Sequence, residues 1–202
     1  MCREKENNMP SKAKVTKEMI LDTVLKITKE TGFETVNARS IANKLQCSTR
    51  PIFTCYENME ELKKEFLNYA FEYYNEYVKD YKKSIKPSPC LLLPLSYIEF
   101  AKSETYLFKL LFINDMDLDM TETNDFYKEI GNGEKAKEFS DEIGVKLELG
   151  KQIFLDFFLY SHGIAVLTAT EKLSLDSNTT KKMLSNFLTA FTKQYKTSKA
   201  GE

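Results

Sequence analysis

Between residues 47 and 56 the chain reads Cys-Ser-Thr-Arg-Pro-Ile-Phe-Thr-Cys-Tyr, and the side chains able to do recognition chemistry crowd its front half. Arg50 carries a planar guanidinium that can donate two parallel hydrogen bonds to the major-groove edge of a guanine. Thr49 and Thr54 supply hydroxyls suited to base edges or phosphates, and the Pro51 ring is suited to a thymine methyl. Ser48 reads as a helix N-cap, and Pro51 sits in a first turn, where an N–H has no intrahelical partner. Ile52, Phe53 and Tyr56 then pack inward, leaving Thr49, Arg50, Pro51, Thr54 and Cys55 facing out. Tyr56 is open to two roles, core ring or phosphate donor.

These residues need a platform. Asn37 caps a preceding short helix whose Ile41, Ala42 and Leu45 share one face, and Gln46-Cys47-Ser48 leaves room only for a turn. Asn37 and Arg39, at the start of that helix, are candidate clamps on a sugar-phosphate backbone. Thr16 caps a helix running to Thr31, with Ile20, Val24 and Ile27 as its apolar stripe and Gly32 closing it. Phe33 and Val36 supply apolar closure. A helix with one such stripe is marginal alone, so it is expected to carry the two short ones. Downstream, Asn58-Met59-Glu60-Glu61 is an Asn-x-x-Glu capping box opening a long charged helix. Two short helices across a tight turn, with a third behind them, are the layout of a helix-turn-helix that lays its second helix in a major groove.

The arrangement resembles the N-terminal DNA-binding domain of the tetracycline-repressor (TetR) family of transcriptional regulators. The resemblance rests on Gly32-Phe33, Ile41-Ala42-Asn43-Lys44-Leu45, Cys47-Ser48-Thr49-Arg50-Pro51-Ile52-Phe53, Tyr56 and Asn58-Met59-Glu60-Glu61-Leu62. Weaker similarity continues through Phe100-Ala101, residues 107–112 and Tyr160-Ser161-His162-Gly163-Ile164-Ala165. It implies an all-α chain: a three-helix helix-turn-helix domain over residues 15–62, joined by a long fourth helix to a helical effector-binding and dimerisation domain over 63–202. The candidate DNA contacts are Asn37, Arg39, Ser48, Thr49, Arg50, Pro51, Phe53, Thr54 and Tyr56. Three positions depart from the family. Gln46 stands where glycine is usual, so any left-handed turn costs more there. Phe53 replaces a tyrosine whose hydroxyl commonly reaches a phosphate. Met59 replaces a lysine, which shifts phosphate anchoring toward backbone N–H groups at the fourth helix start.

Charge supports this polarity of the chain. The net formal charge is −1 over 202 residues, yet residues 1–50 hold ten Lys/Arg against six Asp/Glu, leaving 19 against 24 for the remainder. Residues 1–14 read as a disordered basic arm, in which Lys12 and Lys14 either lie along DNA or are solvated tail charges. Cys2, Cys47, Cys55 and Cys90 have no CxxC spacing and accompany no secretory signal, which suits a reduced, cytoplasmic protein. With a single histidine, no zinc site is expected. No apolar run approaches the roughly 18 residues of a membrane span, and no cofactor is expected.

Beyond Leu62 the pattern is helical. The fourth helix should reach about Ser84, with Phe66, Tyr69, Tyr73 and Tyr77 on one face and Lys86-Pro87-Ser88-Pro89 ending it. A helix after Pro94 carries Leu95, Ile98 and Phe100; another from about Glu104 carries Leu107, Phe108, Leu111 and Phe112. A weaker one spans about 125–130, broken by Gly131-Asn132-Gly133. The stretch 147–173 is apolar on nearly every side and must be buried twice. With a last helix from about Asn178 to Tyr195 it is expected to form a four-helix dimer interface through Tyr160, Gly163, Ile164, Leu167, Leu184, Phe187, Leu188 and Phe191. Tyr97, Phe100, Phe108, Phe112, Phe154 and Phe158 line a small-molecule pocket or fill a core. His162 is a pH or ligand sensor or a hydrogen-bonded interface residue. Asp115, Asp117 and Asp119 form a cation rim or a solvated loop.

These features imply a homodimeric repressor of a palindromic operator, released by a small, largely apolar effector. Catalysis is not expected: Gly131-Asn132-Gly133-Glu134-Lys135 lacks P-loop spacing, and one histidine cannot anchor a nucleophile-base-orienter set. The alternative is a helical protein-binding adaptor that keeps the helix-turn-helix as scaffold.

Overall fold

The computed structural model describes residues 14–116, 120–128 and 131–198, and among them every regular element is helical. The helices are α1 (Lys17–Thr31), α2 (Ala38–Lys44), α3 (Arg50–Cys55), α4 (Met59–Ile85), α5 (Pro89–Ser103), α6 (Thr105–Lys109), α7 (Asn132–Ile143), α8 (Leu147–Ala169) and α9 (Ser177–Ser198). A π turn over Leu110–Asn114 extends α6, and short 3-10 turns occupy Phe33–Thr35 and Thr123–Tyr127.

Local hydrogen bonds set most of the N-terminal boundaries. The Thr16 hydroxyl accepts the Met19 N–H at 3.2 Å, and Gly32 turns the chain with φ +90°. Asn37 Oδ1 accepts the N–H groups of Arg39 and Ser40, both at 3.0 Å, while Ser40 Oγ accepts the Asn37 N–H at 2.9 Å. That reciprocal box satisfies donors that otherwise face water unpaired. Asn58 caps α4 through the Glu61 N–H, and the Glu61 carboxylate reaches one residue further back than expected, to the Glu57 N–H.

The cap of α3 differs from expectation. Thr49, not Ser48, is the boundary residue, and no side chain caps it. Thr49 already has helical backbone angles, φ −72° and ψ −16°, and its carbonyl takes the N–H groups of both Ile52 and Phe53. Pro51 has no N–H to satisfy, so little remains for a cap to do. The preceding turn passes through Gln46 at φ +53°, the left-handed conformation that glycine adopts at least cost.

Two further boundaries are corrected. α5 begins at Pro89 and contains Pro94, instead of starting after it. Pro94 removes the bond to the Cys90 carbonyl, but the helix around it buries Leu91, Leu95, Ile98 and Phe100, and this burial holds the element together. Gly131-Asn132-Gly133 launches α7 where a break was expected, while the segment ahead of it is only the 3-10 turn at Thr123–Tyr127. The charged sequence of α7 conceals its apolar side, Ala136 and Phe139, which packs on α8 close enough for Ser140 to require Gly150 opposite.

Ile20 and Val24 of α1, Ile41 of α2, Ile52 of α3, and Leu62 and Phe66 of α4 are fully buried in a continuous core. α1 also lies on α6, and polar ties join α1 to α4 and α4 to the end of the π turn. Lys17 pairs with Glu65 at 2.7 Å, the Tyr69 hydroxyl donates to Asp22, and Lys63 pairs with Asp115 at 2.7 Å. Lys29, Tyr73 and Glu104 close a triangle of contacts at 2.7–2.8 Å. Burial works against the Lys29 ammonium, but the Glu104 and Tyr73 hydrogen bonds outweigh it and hold its pKa above the ordinary lysine value. By length and composition α8 alone among the described helices could cross a membrane; here it packs against α5, α7 and α9.

Candidate nucleic-acid interface

The exposed side of α2 and α3 gathers most of the residues singled out above. Arg39 and Arg50 are both exposed, and neither guanidinium has a partner among the described residues. Ser48 is exposed, Thr49 and Pro51 are half-buried, and Thr54 is exposed with its hydroxyl donating to the Arg50 carbonyl at 3.0 Å. Cys55 is half-buried, its Sγ 4.0 Å from the Val15 carbonyl. Asn37 is exposed but committed to the fold: besides its two cap bonds, Nδ2 donates to the Thr35 carbonyl at 3.1 Å. Its contribution is to present Arg39. Lys44 faces out but is paired with Glu30.

Phe53 changes sides, and Tyr56 takes one of the two roles left open for it. Phe53, expected to pack inward, is 51 % exposed, whereas Tyr56 is 2 % exposed and its hydroxyl is enclosed without a hydrogen-bond partner among the described residues. Helical spacing explains both. Ile52 and Tyr56, four apart, share the face that meets the core, and Phe53 lies about 100° further round. Tyr56 is therefore a core ring with the Lys17 ammonium 4.6 Å from its centroid, and it is not a surface phosphate donor. Burial first, and then the nearby Glu65 carboxylate, push its hydroxyl well above the ordinary tyrosine range, so it stays protonated.

Arginine placement adds a signal that periodicity does not carry. Of 29 Lys and Arg residues only Arg3, Arg39 and Arg50 are arginine, all within the first quarter of the chain. A guanidinium holds bases and phosphates in a fixed fork that an ammonium lacks. The basic surplus itself is narrower than the first fifty residues suggest: Glu57, Glu60 and Glu61 follow at once, and residues 14–62 carry seven Lys/Arg and seven Asp/Glu. The remainder of the surplus, with Lys12 and most of the expected arm 1–14, lies outside the described residues.

Toward the other end of the molecule the expected pocket residues form a ring-on-ring cluster. Tyr97, Phe100 and Phe108 are buried, and Phe112, Phe154 and Phe158 are half-buried. Tyr97 is the hub, with Phe112 at 4.9 Å, Phe108 at 5.1 Å and Phe158 at 6.5 Å between centroids. Phe154 stands apart from the hub, against Phe126 and Phe139; Phe126 in turn meets Phe158 at 4.8 Å. Tyr74, one position off the expected face of α4, joins Phe100 and Phe112, both at 5.0 Å. Within this cluster Tyr97 Oη and His162 Nδ1 share a 2.9 Å hydrogen bond. Burial pushes the imidazole pKa down and the phenol pKa far up, so both are neutral near pH 7.

At the α8–α9 seam, Gly163 and Leu167 are exposed, while Tyr160, Phe187, Leu188 and Phe191 are half-buried. Phe187 stacks between Tyr160 and Phe191, at 4.2 Å from each, knitting the two helices together. Ile164 and Leu184 are buried within the chain and belong to its own core, so neither offers surface to a partner. Leu159, 52 % exposed and not anticipated, completes a stripe with Gly163 and Leu167 at intervals of four. The side chain of Tyr195 lies outside the described set, as do Asp117 and Asp119; Asp115 is occupied by Lys63. Among the described residues, no cluster of His, Cys, Asp or Glu is placed to hold a metal ion.

No protein-family model matches the chain, and no curated protein matches it either.

Proposed function

We propose that the protein is a DNA-binding transcriptional regulator of the tetracycline-repressor type, a homodimer whose paired α3 helices read a palindromic operator and which a small, largely apolar effector releases. The observation that carries the reading is the exposed face of α2 and α3, where Arg39 and Arg50 have no partner among the described residues and stand over a buried aliphatic platform. In a helix-turn-helix, a guanidinium at the start of the second helix meets base edges, and one at the start of the first meets the backbone. The exposed stripe of Leu159, Gly163 and Leu167 supports a second copy of the chain on α8 and α9. That pairing would set two α3 helices about one DNA turn apart, roughly 34–36 Å. The effector is proposed to enter among the rings around Tyr97 and His162, whose mutual hydrogen bond would have to open to it, which suits an apolar molecule with one hydrogen-bonding group.

Selection of bound duplexes from a random pool, followed by gel-shift titration over a salt series, tests the DNA half. The expected result is a palindrome bound with a steep salt slope. Binding to the selected duplex should then fall on adding apolar ligands. A ligand that binds the free and DNA-bound states equally shifts nothing, so the readout is DNA affinity and not ligand affinity. The second reading, a protein-binding adaptor, is favoured by the balanced charge of residues 14–62 and by exposed Glu57 and Glu60 beside α3. It predicts no sequence selection.

A further inference from the structure

We propose that this chain reads 5-methylpyrimidines, thymine above all, through the exposed ring of Phe53, so that each operator half-site places a thymine methyl against that ring while Arg50 takes a neighbouring guanine. The inference rests on the DNA-binding reading above and adds to it the base class and the residue that selects it.

The argument starts from what α3 offers outward. Phe66, Phe100 and Phe108 are fully buried, whereas Phe53 is 51 % exposed in the middle of a six-residue helix. Its neighbours on the exposed side leave few polar groups free. The Thr54 hydroxyl is bonded to the Arg50 carbonyl, Pro51 has no N–H, and Thr49 is half-buried. The outward chemistry of α3 is therefore led by one guanidinium and one apolar ring, with the exposed Ser48 just ahead of the helix and the Thr54 hydroxyl left only acceptor capacity. Major-groove edges display one apolar feature that varies with sequence, the C5 methyl of thymine, and the best partner for a guanidinium there is guanine O6/N7. The exposed Arg50 guanidinium, three residues before the ring and without a partner among the described residues, supplies the attraction that holds an apolar surface against a polyanion. Tyrosine at residue 53 could also reach a phosphate oxygen; phenylalanine is confined to carbon contacts.

The test replaces each thymine of the selected duplex, one at a time, with deoxyuridine, which removes only the methyl group. Loss of one methyl contact is expected to weaken binding about fourfold at one position per half-site, and the other replacements should be silent. In Phe53→Ala the thymine and deoxyuridine duplexes should bind alike, while an unshifted thermal melt shows the fold intact, as an exposed side chain allows. Phe53→Leu, which keeps an apolar side chain, should retain part of the discrimination. A 5-methylcytosine placed at the sensitive position should restore affinity over unmethylated cytosine. If a specific duplex is selected but no deoxyuridine replacement matters, or if sensitivity persists in Phe53→Ala, the inference is overturned and the regulator reading stands. If no duplex is selected above bulk DNA, both fall.

Discussion

The two ends of the molecule use rings in opposite ways. Around α5, α6 and α8, Phe100, Phe108 and Tyr97 are sunk among other aromatics, and the polar Tyr97–His162 pair is kept inside with them. Around α2 and α3 the buried side chains are mostly aliphatic, the polar groups are spent on caps, and a phenylalanine and two arginines are left facing out. The first arrangement maximises removal of apolar surface from water; the second gives up some of that gain to hold a short helix where its outer side is free. Packing dominates one region and local backbone satisfaction the other, and α1 and α4 tie them together through the Lys29–Tyr73–Glu104 triangle.

Substitutions should separate the two regimes. Phe108→Ala empties a fully buried site and is expected to cost about 3–5 kcal/mol, read as a lower denaturant midpoint with unchanged slope. A cost below about 1 kcal/mol would mean that the aromatic cluster is not a packed core. Arg50→Ala should leave stability within about 0.5 kcal/mol and instead weaken specific DNA binding by about 1–3 kcal/mol, with a smaller fall for non-specific duplex. Equal losses on both duplexes would reduce Arg50 to a phosphate contact. Asn37→Ala removes two cap bonds and should destabilise by about 1 kcal/mol, measurable by the same chemical titration. Gln46→Gly relieves the left-handed turn and is expected to raise stability by about 0.5–1 kcal/mol, the entropy of the freer unfolded chain offsetting the rest. A loss of stability there would show that the Gln46 side chain contributes more than its backbone costs.

The smallest expected effect is a pH slope. Burial lowers the His162 pKa in the folded state below the ordinary histidine value. Protonation therefore favours the unfolded chain: this contribution is intact above that ordinary value and is lost progressively as pH falls through it toward the lowered one. Urea midpoints should decline over that interval in the parent chain and decline less in His162→Gln. A steeper decline in the variant would reverse the sign of the argument.

What was legible in advance divides along the same line. Thr16, Gly32, Asn37 and Asn58 marked helix ends correctly, because a cap is a contract between a side chain and N–H or C=O groups within four residues of it. The ring cluster could be named but not its shape: Tyr74 and Phe126 join it from positions whose periodicity says nothing of which neighbour they meet. Arg39 and Arg50 were visible as residue types, and the restriction of arginine to the first quarter was visible as a count. That no described residue pairs with them was not, since pairing depends on which carboxylates the fold brings near.

Sequence alone determined that the chain is helical, where α1, α2 and α4 begin, and which stripes are apolar, since these follow from backbone hydrogen bonding and the 3.6-residue period. Tertiary structure decided that Phe53 faces out and Tyr56 in, that Pro94 is tolerated inside α5, and that Ile164 and Leu184 belong to the chain's own core. Each of those outcomes depends on the surface packed opposite, and no stretch of residues specifies by itself what will lie across from it.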